Sequence, residues 1–375
     1  MSAILRFVVV PTLWAVLTAT AVAATSPKEI LYVTERQSGT ISLLAYDVNP
    51  ETAVAKPIGE PMFVGASNID PLTIGDKNFV YVWSATDVWL YPTAPSGAPA
   101  AKYTQHLTFN FPHPVASFLV DPDGKFAYAG LIWWDSETQT NYAAIYLYTV
   151  DPSTGKLTDT QDAVATYSNA YTFFRSFSFG LSGKRFYVSA FDDGPNTCEP
   201  ESDYYKVDQN TGDLGALRNL VTASLDCGGS GETVANDQLT GVGSTCCGPG
   251  SGYLQITRIS TGKQITCQAS DLNFCGDDAG DIVFDPSSQN VVFPDTDVKE
   301  TFIGHLVFAS SQLTQSPSMI RGNPYIYFSP DSQVLYALYD ETVGINIFQS
   351  ATGQLLATTS LPVKGKVTIA TTTTE

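Results

Sequence analysis

Between Phe118 and Leu157 the apolar and polar positions alternate in four short bursts, the period of half-buried strands. An apolar run at 118–120 meets the turn Pro122-Asp123-Gly124, and the run 126–130 reads as the returning strand of a hairpin. After a loop, 145–150 supplies a third strand rich in Tyr and Ile, and the turn Ser153-Thr154-Gly155 sends the chain into a fourth. The segment therefore predicts a four-stranded antiparallel meander.

With Tyr128 and Gly155 as phase markers, the same unit recurs along the chain. The hairpin returns at 177–189, 282–293 and 326–337, around Tyr187, Val292 and Tyr336, and weaker copies end at Tyr32 and Tyr81. The Thr-Gly turn returns at Thr211-Gly212, Thr261-Gly262 and Thr352-Gly353. One further hairpin, around 232–243, is barely visible. Counting it gives a repeat of about 50 residues present seven times, which predicts an all-β chain folded as a seven-bladed β-propeller of four-stranded antiparallel blades. The first unit opens at Ile30-Leu31-Tyr32-Val33-Thr34 without an innermost strand of its own. A strand-like run at 366–370 belongs to no unit, so it is expected to pair beside 30–34 and close the ring.

Repeats of this form, with Ser329-Pro330-Asp331 at a hairpin turn and Tyr32-Val33-Thr34 in a strand, resemble those of the seven-bladed lactonase-like, YVTN-type propellers. The resemblance covers nearly all of the chain beyond residue 23. It implies the fold and leaves the activity open, because propellers host hydrolases, ligand binders and docking platforms on one scaffold.

Residues 1–23 carry one basic residue, Arg6, then an apolar core over 7–17 and the small-residue site Ala21-Val22-Ala23. This is the layout of an export signal, and 24–375 would remain as a single propeller domain, secreted or periplasmic. No other apolar run approaches membrane-spanning length. Without Arg6 the 19 basic residues become 18 against 37 acidic ones, a net charge of about −19. Such a surface repels nucleic acid and anionic lipid. The six cysteines, Cys198, Cys227, Cys246, Cys247, Cys267 and Cys275, crowd around the faint unit and read as disulfide partners in an exported protein. Adjacent Cys246 and Cys247 are expected to bond different partners, and the pairing stays open. Zinc spacing of the Cys-x-x-Cys kind is absent.

In a meander both tight turns lie at one end, so long insertions gather at the other: 130–142 with Trp133, 190–203 with Asp193, and 293–304. Equal offsets before the hairpin turn sharpen the choice. His113, Arg321 and Asp277 each stand ten residues before Asp123, Asp331 and Ser287, and Arg175 stands seven before Ser182. Equal offsets predict equal height and radius at one channel mouth. The resemblance implies a site where a carboxylate or His activates water against a lactone carbonyl while Arg stabilises the oxyanion. The plainer alternative pairs Arg175 and Arg321 with carboxylates between blades and leaves His113 capping a loop. Trp133 and Trp134 would stack on a sugar or fold against their own loop. Asp277, Asp278 and Asp281, or Asp192, Asp193 and Glu201, hold enough oxygens for Ca²⁺ but read more readily as solvated loops. No cofactor motif occurs. Two functions follow: a monomeric propeller binding a small anion, glycan or protein partner on its loop face, which the clear scaffold favours, or a hydrolase of the 6-phosphogluconolactonase type opening a small lactone.

Overall fold

The computed structural model describes residues 28–49, 54–74, 77–169, 172–180, 182–194, 197–222, 231–244, 253–268, 282–295, 300–315, 320–321, 325–329, 331–338, 344–360 and 366–374. The strands form an all-β propeller of antiparallel four-stranded blades, and pairing sorts them into seven sheets in sequence order. In the first sheet Lys366–Thr374 lies beside Lys28–Gln37, with Tyr32 opposite Ala370 and Arg36 opposite Lys366. Thr40–Asn49 follows and carries Val54–Pro57 and Met62–Val64 on its far edge. The second sheet runs from Asn68–Ile74 to Gln105–Thr108, the third from Val115–Val120 to Leu157–Asn169, and the fourth from Thr172–Phe179 to Arg218–Thr222. Gly231–Ala235 to Lys263–Gln268 make the fifth, Val283–Phe284 to Ile320–Arg321 the sixth, and Tyr325–Phe328 to Leu355–Ser360 the seventh. The faint hairpin around 232–243 is thus a strand pair, with Val234 opposite Gly241.

Among the described residues the buried clusters lie between neighbouring sheets, so the core lies between blades. Leu31, Val33 and Tyr46 pack with Tyr336 and Ile345 across the first and seventh sheets. Tyr81 and Leu90 pack with Phe118 and Tyr148 across the second and third, and Tyr128 and Ile145 with Phe177 and Phe186 across the third and fourth.

The two kinds of residue that set the repeat's phase, a strand tyrosine and a turn glycine, are bonded between neighbouring blades in part of the ring. In each of three successive sheets a second-strand tyrosine donates its hydroxyl to a glycine carbonyl in the last turn of the next sheet: Tyr32 to Gly97, Tyr81 to Gly155, Tyr128 to Gly212. Tyr187 continues the series onto the Asn236 carbonyl. The Tyr336 hydroxyl, fully buried, sits against Glu29 instead. Tyr128→Phe leaves the Gly212 carbonyl unsatisfied in a dry interface. It is expected to cost about 1–2 kcal/mol, read as a lower urea midpoint at unchanged slope.

The hairpin turns share a second device. At Asp121 the backbone carbonyl accepts from Gly124 N–H while the buried carboxylate accepts from Lys125 and Phe126 N–H at 2.7 and 2.9 Å. Gly124 adopts φ 66°, which a glycine reaches without strain. Asp285 makes the same bonds to Gln289 and Asn290 N–H, and Ser329 serves Val334 N–H.

One expectation fails here. The insertions at 130–142, 190–203 and 293–304 are mostly strand: Phe126–Asp135 pairs with Thr140–Val150 out to Asp135 opposite Thr140, Arg185–Gly194 with Thr197–Lys206 out to Gly194 opposite Thr197, and Asn290–Asp295 with Glu300–Val307. The alternation of Leu131, Trp133 and Tyr142 with their outward neighbours prolongs the hairpins past the blade body instead of releasing a loop.

Candidate functional site

His113 lies two residues before Val115–Val120, the first strand of the third sheet, at the end where the second and third strands form their hairpin. Its ring stacks on Trp133 at 4.3 Å between centroids and 11° between planes. Trp133 in turn stacks on Tyr142, its directly opposite partner, at 5.3 Å and 11°. The prolonged hairpin is what creates this shelf of three parallel rings. Trp134, the next residue, turns outward and is 46% exposed.

Asp135 closes the same hairpin by accepting from Glu137 N–H at 2.8 Å and Thr138 N–H at 3.4 Å. The Glu137 bond foremost, with the Thr138 bonds after it, holds its carboxyl below the ordinary aspartate range. An imidazole and an ionised carboxylate therefore share one edge of the propeller, and either residue type can serve as a general base toward water.

Arg175 lies in the first strand of the fourth sheet at a break in register: Phe174 faces Ala190 and Ser176 faces Ser189, so Arg175 is an extra residue. The third sheet has the same break at Ala116, between Val115 opposite Leu131 and Ser117 opposite Gly130. Both bulges stand seven residues before the turn, at Asp123 and Ser182. The two bulges thus place Ala116 and Arg175 at equivalent backbone positions of neighbouring blades.

Arg321 pairs with Glu300 on the outer side of the sixth sheet, since the outer strand there is split into Gln312–Gln315 and Ile320–Arg321. It shares His113's end of the fold, because Glu300 opposes Asp295 at the hairpin tip. Four residues further on, Tyr325–Phe328 begins the seventh sheet, so Arg321, like His113, stands in a connection that leads into a first strand. Asp193 stands at the fourth sheet's hairpin opposite Cys198, again at this end, and Cys267 faces Leu254 in the fifth sheet. Asp277, Asp278, Asp281, Cys227, Cys246, Cys247 and Cys275 lie outside the described residues.

Asp70 was not anticipated. It sits in the first strand of the second sheet, opposite Tyr81, and its Oδ2 accepts Val120 N–H at 2.9 Å from the first strand of the third. Solvent reaches it only in part. Enclosure by protein pushes its carboxyl up to about 7, partly offset by the Val120 bond. A carboxyl poised near neutrality suits proton transfer. The signal was present as a lone acid within Ile69-Asp70-Pro71-Leu72, an otherwise apolar inner strand.

No protein-family model matches the sequence, and no curated protein matches it. Solved structures do match in shape. A candidate 6-phosphogluconolactonase from Bacteroides fragilis superposes with a TM-score of 0.60 at 14% identity, over 93% of this chain and 99% of that one. Another, from Bacteroides uniformis, gives 0.62 at 12% identity over 92% and 100%. The periplasmic gluconolactonase of Pseudomonas aeruginosa gives 0.61 at 13% identity over 92% and 99%. The chain is thus similar in fold, along its whole described length, to 6-phosphogluconolactonase-like propellers.

Proposed function

We propose that this protein hydrolyses a small lactone on the face where the second-to-third-strand hairpins end. The observation that carries the reading is His113 held flat on Trp133 beside ionised Asp135. The similarity in fold to gluconolactonase-type propellers supports it over the binding-only reading that the sequence favours. In this scheme His113 takes a proton from water as the water oxygen attacks the lactone carbonyl. The tetrahedral oxyanion is met by a guanidinium, for which Arg175 on its bulge is the candidate. The ring C–O bond then breaks, the ring oxygen is protonated, and a hydroxy acid leaves. Water is the only co-reactant, so no cofactor enters. The sheets of the structure support counting seven blades, with 366–374 closing the ring, and the leader at 1–23 supports export.

A screen of five- and six-membered aldonolactones at constant pH, with spontaneous hydrolysis subtracted, tests the reading. Saturable acceleration of at least one lactone is expected. Saturable binding without acceleration would transfer the face to the scaffold reading, for which exposed Trp134 is the natural contact.

A further inference from the structure

At the opposite end of the propeller, where the tight turns gather, an open cavity of about 580 Å³ lies between the second and third sheets. That is the size of a small-molecule site. Its walls carry Lys77 and Lys156, two cations on a chain whose net charge is −18. Between them stand the hydroxyl groups of Thr93, Thr104, Ser153 and Thr154, with the Phe79 ring among the lining groups.

The cavity is built on fixed parts. Lys77 Nζ donates to the Ser153 carbonyl at 2.9 Å, which ties the second sheet's hairpin turn to the third sheet's last turn. Thr93 N–H and Oγ1 both donate to the Asn78 carbonyl at 3.0 Å. Phe79 packs beneath Gly155, where an added Cβ would meet its ring at 2.7 Å. The nearby Asp151 carboxylate is already engaged by Ser153, accepting its N–H at 2.8 Å and its hydroxyl at 2.7 Å. The ammonium of Lys77 keeps further donor directions beyond its one bond.

We propose that this cavity is a second ligand site, distinct from the His113 face, that binds a small polyhydroxylated anion such as a sugar acid. Two ammonium groups supply the attraction for a carboxylate or phosphate and outnumber the ionised Asp151 carboxylate nearby, on a chain that is negative overall. The hydroxyl groups of Thr93, Thr104, Ser153 and Thr154 supply acceptors that a carbohydrate chain uses and a bare anion does not. The inference stands whether or not the other face hydrolyses lactones.

Calorimetric titration of the whole chain with gluconate, glucose and inorganic phosphate tests it. Gluconate is expected to bind more tightly than either of the others. Replacing both lysines (Lys77→Met with Lys156→Met) should weaken gluconate at least ~10-fold, the loss of one charge-assisted contact or more. The pair Lys77→Arg and Lys156→Arg should stay within about threefold of the parent, and His113→Ala should leave this binding in place. Unchanged affinity in the double Met variant would overturn the site. Glucose binding as tightly as gluconate would overturn the anionic class, and phosphate doing so would overturn the hydroxylated one. Binding lost in His113→Ala but kept in the double Met variant would place the gluconate on the hairpin face, overturning the second site without touching the hydrolase reading.

Discussion

Gly155→Val is expected to destabilise the propeller by about 4 kcal/mol, far more than a turn substitution usually costs. Gly155 adopts φ 69°, where a β-branched residue is strained by roughly 1–3 kcal/mol. Its Cβ would fall 2.7 Å from the Phe79 ring in the neighbouring sheet, and overpacking of that kind costs about 1–3 kcal/mol. Any retreat of the turn also loosens the Gly155 carbonyl from the Tyr81 hydroxyl, a buried bond of about 1 kcal/mol. Gly262 provides the control. It has the same turn position and φ 66°, but its added Cβ meets nothing within 4 Å. Gly262→Val should therefore show only the backbone cost of about 1–2 kcal/mol. Equal urea midpoints for the two variants would refute the claim that the glycine is kept by contact between blades.

The second large effect is a fall in stability with rising pH, traced to Glu29. This residue is 3% exposed in the strand beside Lys366–Thr374, and burial pushes its carboxyl from 4.5 up to about 7, against a smaller lowering by Tyr336. Below pH 4.5 folded and unfolded chains both hold the proton, so the group contributes nothing to the pH dependence. Between 4.5 and about 7 the unfolded chain ionises while the folded one stays protonated, and stability drops. Above that window the full penalty, about 3 kcal/mol, remains. Glu29→Gln keeps the shape and cannot ionise, so it should match the parent near pH 5 and exceed it by about 2–3 kcal/mol at pH 8. Asp70, raised in the same direction, adds to the parent's slope, and the difference between parent and variant isolates Glu29. A difference that is the same at both pH values would remove Glu29 as the cause.

The scaffold was legible because its markers have physical jobs. Tyr128 and Gly155 recur in phase since, in three successive sheets, a strand hydroxyl donates to a turn glycine carbonyl of the next sheet. Asp121 and Asp285 recur since each hairpin needs its N–H groups tied down. The strand at the chain's end was legible as an orphan run without a unit. The site was less so. Trp133-Trp134 looked like a loop because the repeat's own strand ends near Gly130, and the continued alternation through Tyr142 was overlooked. The pairing of Ile320–Arg321 with the sixth sheet, apart from Gln312–Gln315, left no mark that an offset count could read. Asp70 shows only as a lone acid in an apolar strand, and Glu29 carries no local mark: what raises the Glu29 pKa is enclosure by strands distant in sequence, as where it faces Thr373. Enclosure is a property of the closed ring, so only the ring reveals it.

The central claim is that His113 on its aromatic shelf performs chemistry. The direct measurement is kcat/KM of His113→Ala against the parent on the best lactone from the screen, with the unfolding midpoint of each recorded alongside. The account predicts a loss of at least ~100-fold, the scale of a removed general base, with the unfolding midpoint preserved because His113 is only half-buried. A rate within twofold of the parent, or a loss that tracks unfolding, would contradict it.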